Sequence, residues 1–286
     1  MQYLYVYLLV NMKLKELKLV NCRQNLRDIP PGKTLINTIN AYSYICALKD
    51  KAFAEALASG DYLVPDGVSI VMATRFVGNP YPPQQRVPGW DVFMCEMERL
   101  NTSPMPATGR RKTVMFLGSS EHVLSAIRER VAKDFPNLDV VTYSPPFKEE
   151  FSVEDSAAMV AAVNEAKPDL LFVGMTAPKQ EKWVRAHWDE LEIDCHVGTV
   201  GAVFDFYAGT SKRAPLIMQK YGLEWLHRLC SDPRRMWRRY IIGNTKFIIA
   251  VMREKLFPGR QCESSYPPPI CGDTRRLWQT WRYTAI

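Results

Sequence analysis

Pro65-Asp66-Gly67 is the sharpest chemical feature of this sequence. A short apolar run, Tyr62 to Val64, leads into it and a helix-like run begins at Val68, so the Asp66 carboxylate stands where a strand becomes a helix. An acid in that place has two uses. It can cap the helix by accepting N–H bonds from its first turn, or it can take a proton from a ligand bound at the strand end. Asp205, among the aromatics of VFDFYAG, sits in a setting that can perturb an acid, although a buried acid that merely caps is the commoner case. Gln180 and Glu181 follow Ala177-Pro178-Lys179 in the first turn of an expected helix. There an acid suits the helix dipole without any catalytic duty.

Several familiar chemistries are absent. No two aspartates stand two apart, so the D-x-D metal clamp of many nucleotide-sugar enzymes is missing, and neither G-x-x-x-x-G-K-[ST] nor G-x-S-x-G occurs. His122, His187, His196 and His227 show no metal-ligand spacing. The seven cysteines (22, 46, 95, 195, 230, 262 and 271) form no C-x-x-C pair, which argues against a zinc site or a disulfide framework and for free thiols in a reducing compartment.

The elements that must position these residues alternate along the chain. TLINTIN, Tyr62–Val64, TVMFLG, LDVVTY, DLLFVG and CHVGTVG read as strands. Helices are expected from Ala41 to Leu57, from Val68, from Trp90 to about Leu100, after Ser119 or Ser120 as cap, near Ser152–Lys167, and near Pro178–Trp188 with proline at the first helical position. Strand, short loop and helix in repetition imply an α/β fold of Rossmann-like type, a largely parallel sheet with helices on both faces. Ligands of such sheets bind at the carboxyl ends of the strands. That rim would carry Gly118-Ser119-Ser120, Gly174-Met175-Thr176 and Gly198 through Gly201, three small-residue turns whose N–H groups can meet a phosphate. Each is equally an ordinary turn after a strand.

Charge divides the chain. Its net charge is +7, and the stretch from Leu223 to Arg260 holds nine Lys or Arg against three acids, a local +6. GLEWLHRL is amphipathic, Asp232-Pro233 has the signature of a new helix start, and the helix-like run that follows interleaves cations with Trp237, Tyr240, Ile241, Phe247 and Ile248. Such a segment suits an anionic interface; it equally suits a terminal helix docked on the core with a solvated basic face. The sequence thus divides into an N-terminal arm (1–20), an α/β catalytic domain (21–222), a basic membrane-associating appendage (223–260) and a tail (261–286) with no clear periodicity. The apolar start, MQYLYVYLLV, is about ten residues against the ~20 of a spanning helix. It lacks the marks of a signal peptide and reads as an edge strand or as an extension upstream of Met12. A protein so built would lie on a membrane rather than cross it.

Taken together, INTINAYS, VPDGVSIV, RVPGWDVF, FLGSS, VGMTAPKQEKW, VGAVFDFYAGTSKRAP and GLEWLHRLCSDPRRMWRRY resemble the WecG/TagA/CpsF family, glycosyltransferase family twenty-six, in order and spacing from about Asn37 to Tyr240. The chain reads TAPKQE where many relatives have G-S-P-R-Q-E, and SDPRR where E-P-x-R is usual. The resemblance implies an inverting, metal-independent transferase without a bound cofactor. Its donor would be a UDP-sugar carrying N-acetylmannosamine or a related hexose, and its acceptor N-acetylglucosamine on a polyprenyl diphosphate, in cell-surface polysaccharide synthesis. By the same resemblance Asp66 falls on the general base. Thr38, Asn40 and Gln180 fall on polar substrate contacts, Arg86 on the diphosphate-facing arginine, and Arg228, Arg235 and Arg238 on arginines of the appendage. With the rim glycines Gly118, Gly174 and Gly201, these complete the expected substrate-binding set.

This agrees with the residues themselves. Inversion needs one carboxylate, not the pair of a glycosidase, and without a metal the departing diphosphate needs arginines or helix N-termini. The expected partners are the UDP-sugar, the polyprenyl-linked acceptor and an anionic membrane surface, but not nucleic acid; a homo-oligomer is left open. The expected location is cytoplasmic, peripheral on the inner face of the cell membrane. Two rivals stand beside this reading. One is a nucleotide-binding oxidoreductase, disfavoured because no G-x-G-x-x-G follows the first strand. The other is a non-enzymatic basic protein of membranes or nucleic acid.

Overall fold

A computed structural model describes residues 12–104 and 109–257 of the chain; the first eleven residues and the tail after Phe257 lie outside the described residues, Cys262 and Cys271 with them. Six strands form one all-parallel sheet: β1 (Thr34–Ile39), β2 (Tyr62–Pro65), β3 (Lys112–Gly118), β4 (Leu138–Tyr143), β5 (Leu170–Gly174) and β6 (His196–Thr199). Their order across the sheet is β2-β1-β6-β5-β3-β4. This is the Rossmann-like α/β class that the alternating pattern implies.

Unbroken apolar runs in β3 and β5 serve two faces at once, because successive side chains of a strand point to opposite sides. Val114, Phe116 and Phe172 pack with α4 (Gly89–Thr102), α5 (Glu121–Asp134) and α8 (Val203–Ala208). Met115, Leu117, Leu171 and Val173 pack on the other face with α6 (Val153–Ala166) and α7 (Lys179–His187). At the β1–β2 edge a third cluster gathers α1 (Ala41–Ala47), α2 (Lys51–Ala58) and α3 (Val68–Val77).

The expected helix from Ala41 to Leu57 is two helices. The Asp50 carboxylate accepts the Phe53 N–H at 3.1 Å, and that local bond starts α2 afresh instead of letting α1 continue. Pro178 stands before the first residue of α7, at its N-cap, and the Ala177–Pro178 peptide is cis.

From residue 216 the chain forms α9 (Leu216–Lys220), α10 (Glu224–Ser231), α11 (Pro233–Trp237), a π-helical turn (Arg238–Ile242) and α12 (Gly243–Leu256). The last helix joins the core: Phe247 and Val251 are buried with Tyr44, Phe53 and Ile70. Glu254 accepts the N–H groups of Leu14 (3.1 Å) and Lys15 (2.7 Å) and the Tyr44 hydroxyl (3.0 Å). The same helix also carries exposed apolar residues, Ile248 and Met252 beside that buried stripe and Ile249 and Leu256 farther round. Docked helix and exposed apolar face therefore coexist in one element. No helix among the described residues is long and apolar enough to cross a membrane.

Candidate active site

Parallel pairing of β1 with β2 sets Ile39 opposite Pro65, so Asn40 and Asp66 are the next residue of each strand and emerge side by side. The Asp66 N–H donates to Ile39 O at 2.9 Å, fixing the turn. Its carboxylate does not cap α3. The N-cap is Gly67, which has no side-chain cap bond, and Asp66 Oδ1 instead accepts the Gly89 N–H at 3.2 Å. A half-buried carboxylate is thus held by one backbone donor at the edge of a cavity of about 480 Å³. That volume lies within the range of small-molecule sites. Asn40 caps α1 through Oδ1, which accepts the Tyr42 and Ser43 N–H groups at 3.1 Å each, and it lines the same cavity.

Arginines line the same cavity as this carboxylate. Arg86 donates from Nη1 to Glu224 Oε2 at 2.5 Å and from Nη2 to Gln219 O at 2.6 Å. Glu224 also accepts from Arg213 at 3.4 Å, and the Arg213 guanidinium covers the Trp90 ring at 4.6 Å. Burial pushes the neighbouring Asp91 up from the ordinary aspartate value, opposed by the charges of Arg23, Arg213 and Arg86. The appendage forms the roof. Arg228 lines the cavity and lies over the Phe206 ring at 4.7 Å. Gly222, at φ +70°, sits so close to α3 that a Cβ there would meet Val68 Cγ1 at 2.9 Å.

Arg239 is the residue that sequence reasoning missed. It lines the cavity with its guanidinium 4.9 Å from the Tyr42 ring centroid, whereas Arg238 is exposed. Arg235 lies on α11, and its side chain falls outside the described part of the structure. Arg235 and Arg238, three apart in the sequence, would share a face of an uninterrupted α-helix. The π turn at Arg238–Ile242 interrupts that spacing, and such turns are frequent at functional sites. Only the doubled Arg238-Arg239 pair in the sequence could have hinted at the choice.

The remaining expected residues lie along the strand ends beyond this cavity. Thr38 Oγ1 donates to Thr199 O at 3.4 Å. Gly118 and Gly174 are paired across β3 and β5, and each is demanded by packing: a Cβ on Gly118 would meet Gly174 O at 2.6 Å, and one on Gly174 would enter the Phe204 ring at 2.4 Å. Gly201, at φ +54°, lies beside Gln180. Gln180 is buried; its Oε1 accepts the Met175 N–H at 3.1 Å and its Nε2 donates to Glu181 Oε1 at 2.8 Å. The structure therefore gathers Asn40, Asp66, Arg86 and Arg228 in one cavity and sets Thr38, Gly118, Gly174, Gln180 and Gly201 on the adjoining rim.

Glu181 is more than a dipole partner. Its side chain is 1% exposed, Oε2 has no hydrogen-bond partner among the described residues, and burial pushes its pKa from the ordinary 4.5 to about 7. An acid whose pKa rises on folding holds its proton longer in the folded protein. The pH-dependent part of its burial cost is therefore absent below about pH 4.5 and grows as pH rises toward 7, to on the order of 3 kcal/mol. Glu181→Gln is accordingly expected to raise stability at about pH 8 and leave it unchanged at about pH 4. Urea unfolding at both values checks this; equal stabilities at about pH 8 would mean that Glu181 is ionised at no cost.

A parallel sheet with one carboxylate at its rim, in a cavity that arginines also line, is an arrangement suited to group transfer. Comparison with known proteins narrows the class. The model of the "Glycosyl transferase WecG/TagA/CpsF family" matches residues 7–261, and this chain belongs to that family of glycosyltransferases. Among its relatives is the N-acetylglucosaminyldiphosphoundecaprenol N-acetyl-beta-D-mannosaminyltransferase of Bacillus spizizenii, 30% identical over 209 residues, which are 73% of this chain and 75% of the relative. Proteins of the same name in Bacillus subtilis and Staphylococcus aureus are 28% identical over 243 residues (85% of this chain, 87% of the relative) and 29% identical over 210 (73% and 77%).

Proposed function

We propose that this chain transfers N-acetylmannosamine, with inversion, from a UDP-sugar to N-acetylglucosamine on undecaprenyl diphosphate, at an anionic membrane surface. One observation carries the reading: Asp66 shares a cavity with Arg86, Arg228 and Arg239. In the proposed reaction Asp66 takes the proton of the attacking acceptor hydroxyl as its oxygen bonds to the anomeric carbon. The bond from that carbon to the UDP oxygen breaks, and UDP leaves with the electron pair. Arginines then neutralise charge that grows on the leaving diphosphate, where preorganised donors act most strongly. The relatives' names support the sugar and the acceptor. The +6 appendage supports the membrane contact, at up to ~1 kcal/mol per well-placed cation.

Transfer of label from UDP-N-acetylmannosamine to a synthetic lipid-diphosphate-GlcNAc tests the proposal, and absence of transfer to any such acceptor would overturn it. Among the described residues no three His, Cys, Asp or Glu side chains gather as a metal site. We expect activity to survive excess EDTA, since the sequence has no D-x-D and the cavity supplies arginines instead. Loss of turnover restored by Mg²⁺ or Mn²⁺ would instead assign the charge neutralisation to a cation.

A further inference from the structure

The Asp66 cavity changes character along its length. Helix α3 starts beside Asp66 and carries Val68, Met72 and Phe76 on one stripe, four residues apart, spanning about 12 Å. Helix α12 runs alongside in the same sense: Gly243 lies by Tyr42 near the polar end, and Lys255 sits 5.6 Å from the Phe76 ring at the other. It carries Ile248 and Met252, again four apart. Met72 (64%), Phe76 (47%), Ile248 (60%) and Met252 (42%) are all exposed, although each lines the cavity, and buried Ala73, Phe247 and Val251 lie between the two rows.

Scattered exposed apolar residues are ordinary; two facing rows on an apolar floor, continuous with a site, mark a binding surface. Its occupant must be anionic where the arginines are and apolar and elongated beyond them. We infer that the slot between α3 and α12 receives the first isoprene units of the acceptor's polyprenyl chain, with its diphosphate at the arginine end. The inference rests on the proposed acceptor class and adds where its lipid lies.

The test uses the full chain and two water-soluble acceptors, GlcNAc-diphosphate carrying either a short prenyl chain or a methyl group, and reads the ratio of their kcat/KM values. Wild type should favour the prenyl acceptor by roughly a hundred-fold. Met72→Gln and Ile248→Gln should each cut that ratio about ten-fold, equivalent to ~1.4 kcal/mol of lost discrimination. Both sites face solvent, so melting temperature should hold, and Phe147→Gln, at an exposed site outside the cavity, should leave the ratio alone. A wild-type ratio near one, or a ratio unmoved in both variants, overturns the slot. So does weakened sedimentation with liposomes at an unchanged ratio, which would make these residues membrane contacts only. No transfer to either acceptor by wild type would instead sink the glycosyl-transfer reading itself.

Discussion

Asp66→Asn should lower kcat by ~10²–10⁴ while leaving UDP affinity within a few-fold. The substitution is informative because it preserves geometry. An asparagine Oδ1 can still accept the Gly89 N–H that Asp66 accepts at 3.2 Å, and the backbone bond to Ile39 O is untouched. What disappears is the ability to take a proton. A general base acts in the transition state, so its loss appears in kcat and in kcat/KM together rather than in ground-state binding. Steady-state kinetics with UDP-sugar at saturation, alongside a melting curve, separate the two. Near-normal turnover of a folded Asp66→Asn protein would remove Asp66 from the reaction and leave Asp205 or Glu181 to be tried. Glu181 starts at a disadvantage, being 1% exposed and bonded to Gln180 on the rim beyond the cavity.

Arg86→Ala should cost ~10²–10³ in kcat/KM, the scale of losing one donor aimed at developing charge. Arg86 presents a fork, and both of its terminal nitrogens are engaged, one by Glu224 and the other by Gln219 O. A diphosphate offers the same kind of oxygens, so in the proposed reaction the guanidinium that now holds α10 would meet the leaving group instead. Arg86→Lys should recover little, because a single ammonium cannot reproduce two parallel bonds. Glu224 keeps Arg213 at 3.4 Å in either variant, so the roof should stay folded. Single-turnover rates with a circular-dichroism control provide the measurement. Activity within three-fold of wild type would shift the charge neutralisation to Arg228 and Arg239.

What the sequence made legible follows from how far each contact reaches along the chain. The parallel sheet is a local matter, since each strand announces itself by an apolar run and the following helix by its cap, as Ser120 does for α5. Asp66 was visible for the same reason: strand, Pro-Asp-Gly and helix are contiguous. Its freedom from capping was not, because the donor that replaces the helix N–H groups comes from Gly89, twenty-three residues away. The pairing of Arg86 with Glu224 spans 138 residues, and no periodicity encodes that. Arg239 escaped because wheel arguments assume a single helical pitch, and the π turn changes it. Gly118 and Gly174 read equally as phosphate-facing turns and as ordinary turns after a strand. Only coordinates reveal that a carbonyl and the Phe204 ring already fill the space where their side chains would go.

The tie between Glu254 and the backbone of Leu14 and Lys15 has a mechanical meaning. Residues from the two extremes of the described chain are clamped at one corner, so the roof over Asp66 is a strap buckled at its far end. Its near end is fastened chiefly by polar holds: Glu224 accepts from Arg86 and Arg213, and Arg86 also donates to Gln219 O. The strap is therefore seated in the core at α12, through Phe247 and Val251, and held by ion pairs at α10.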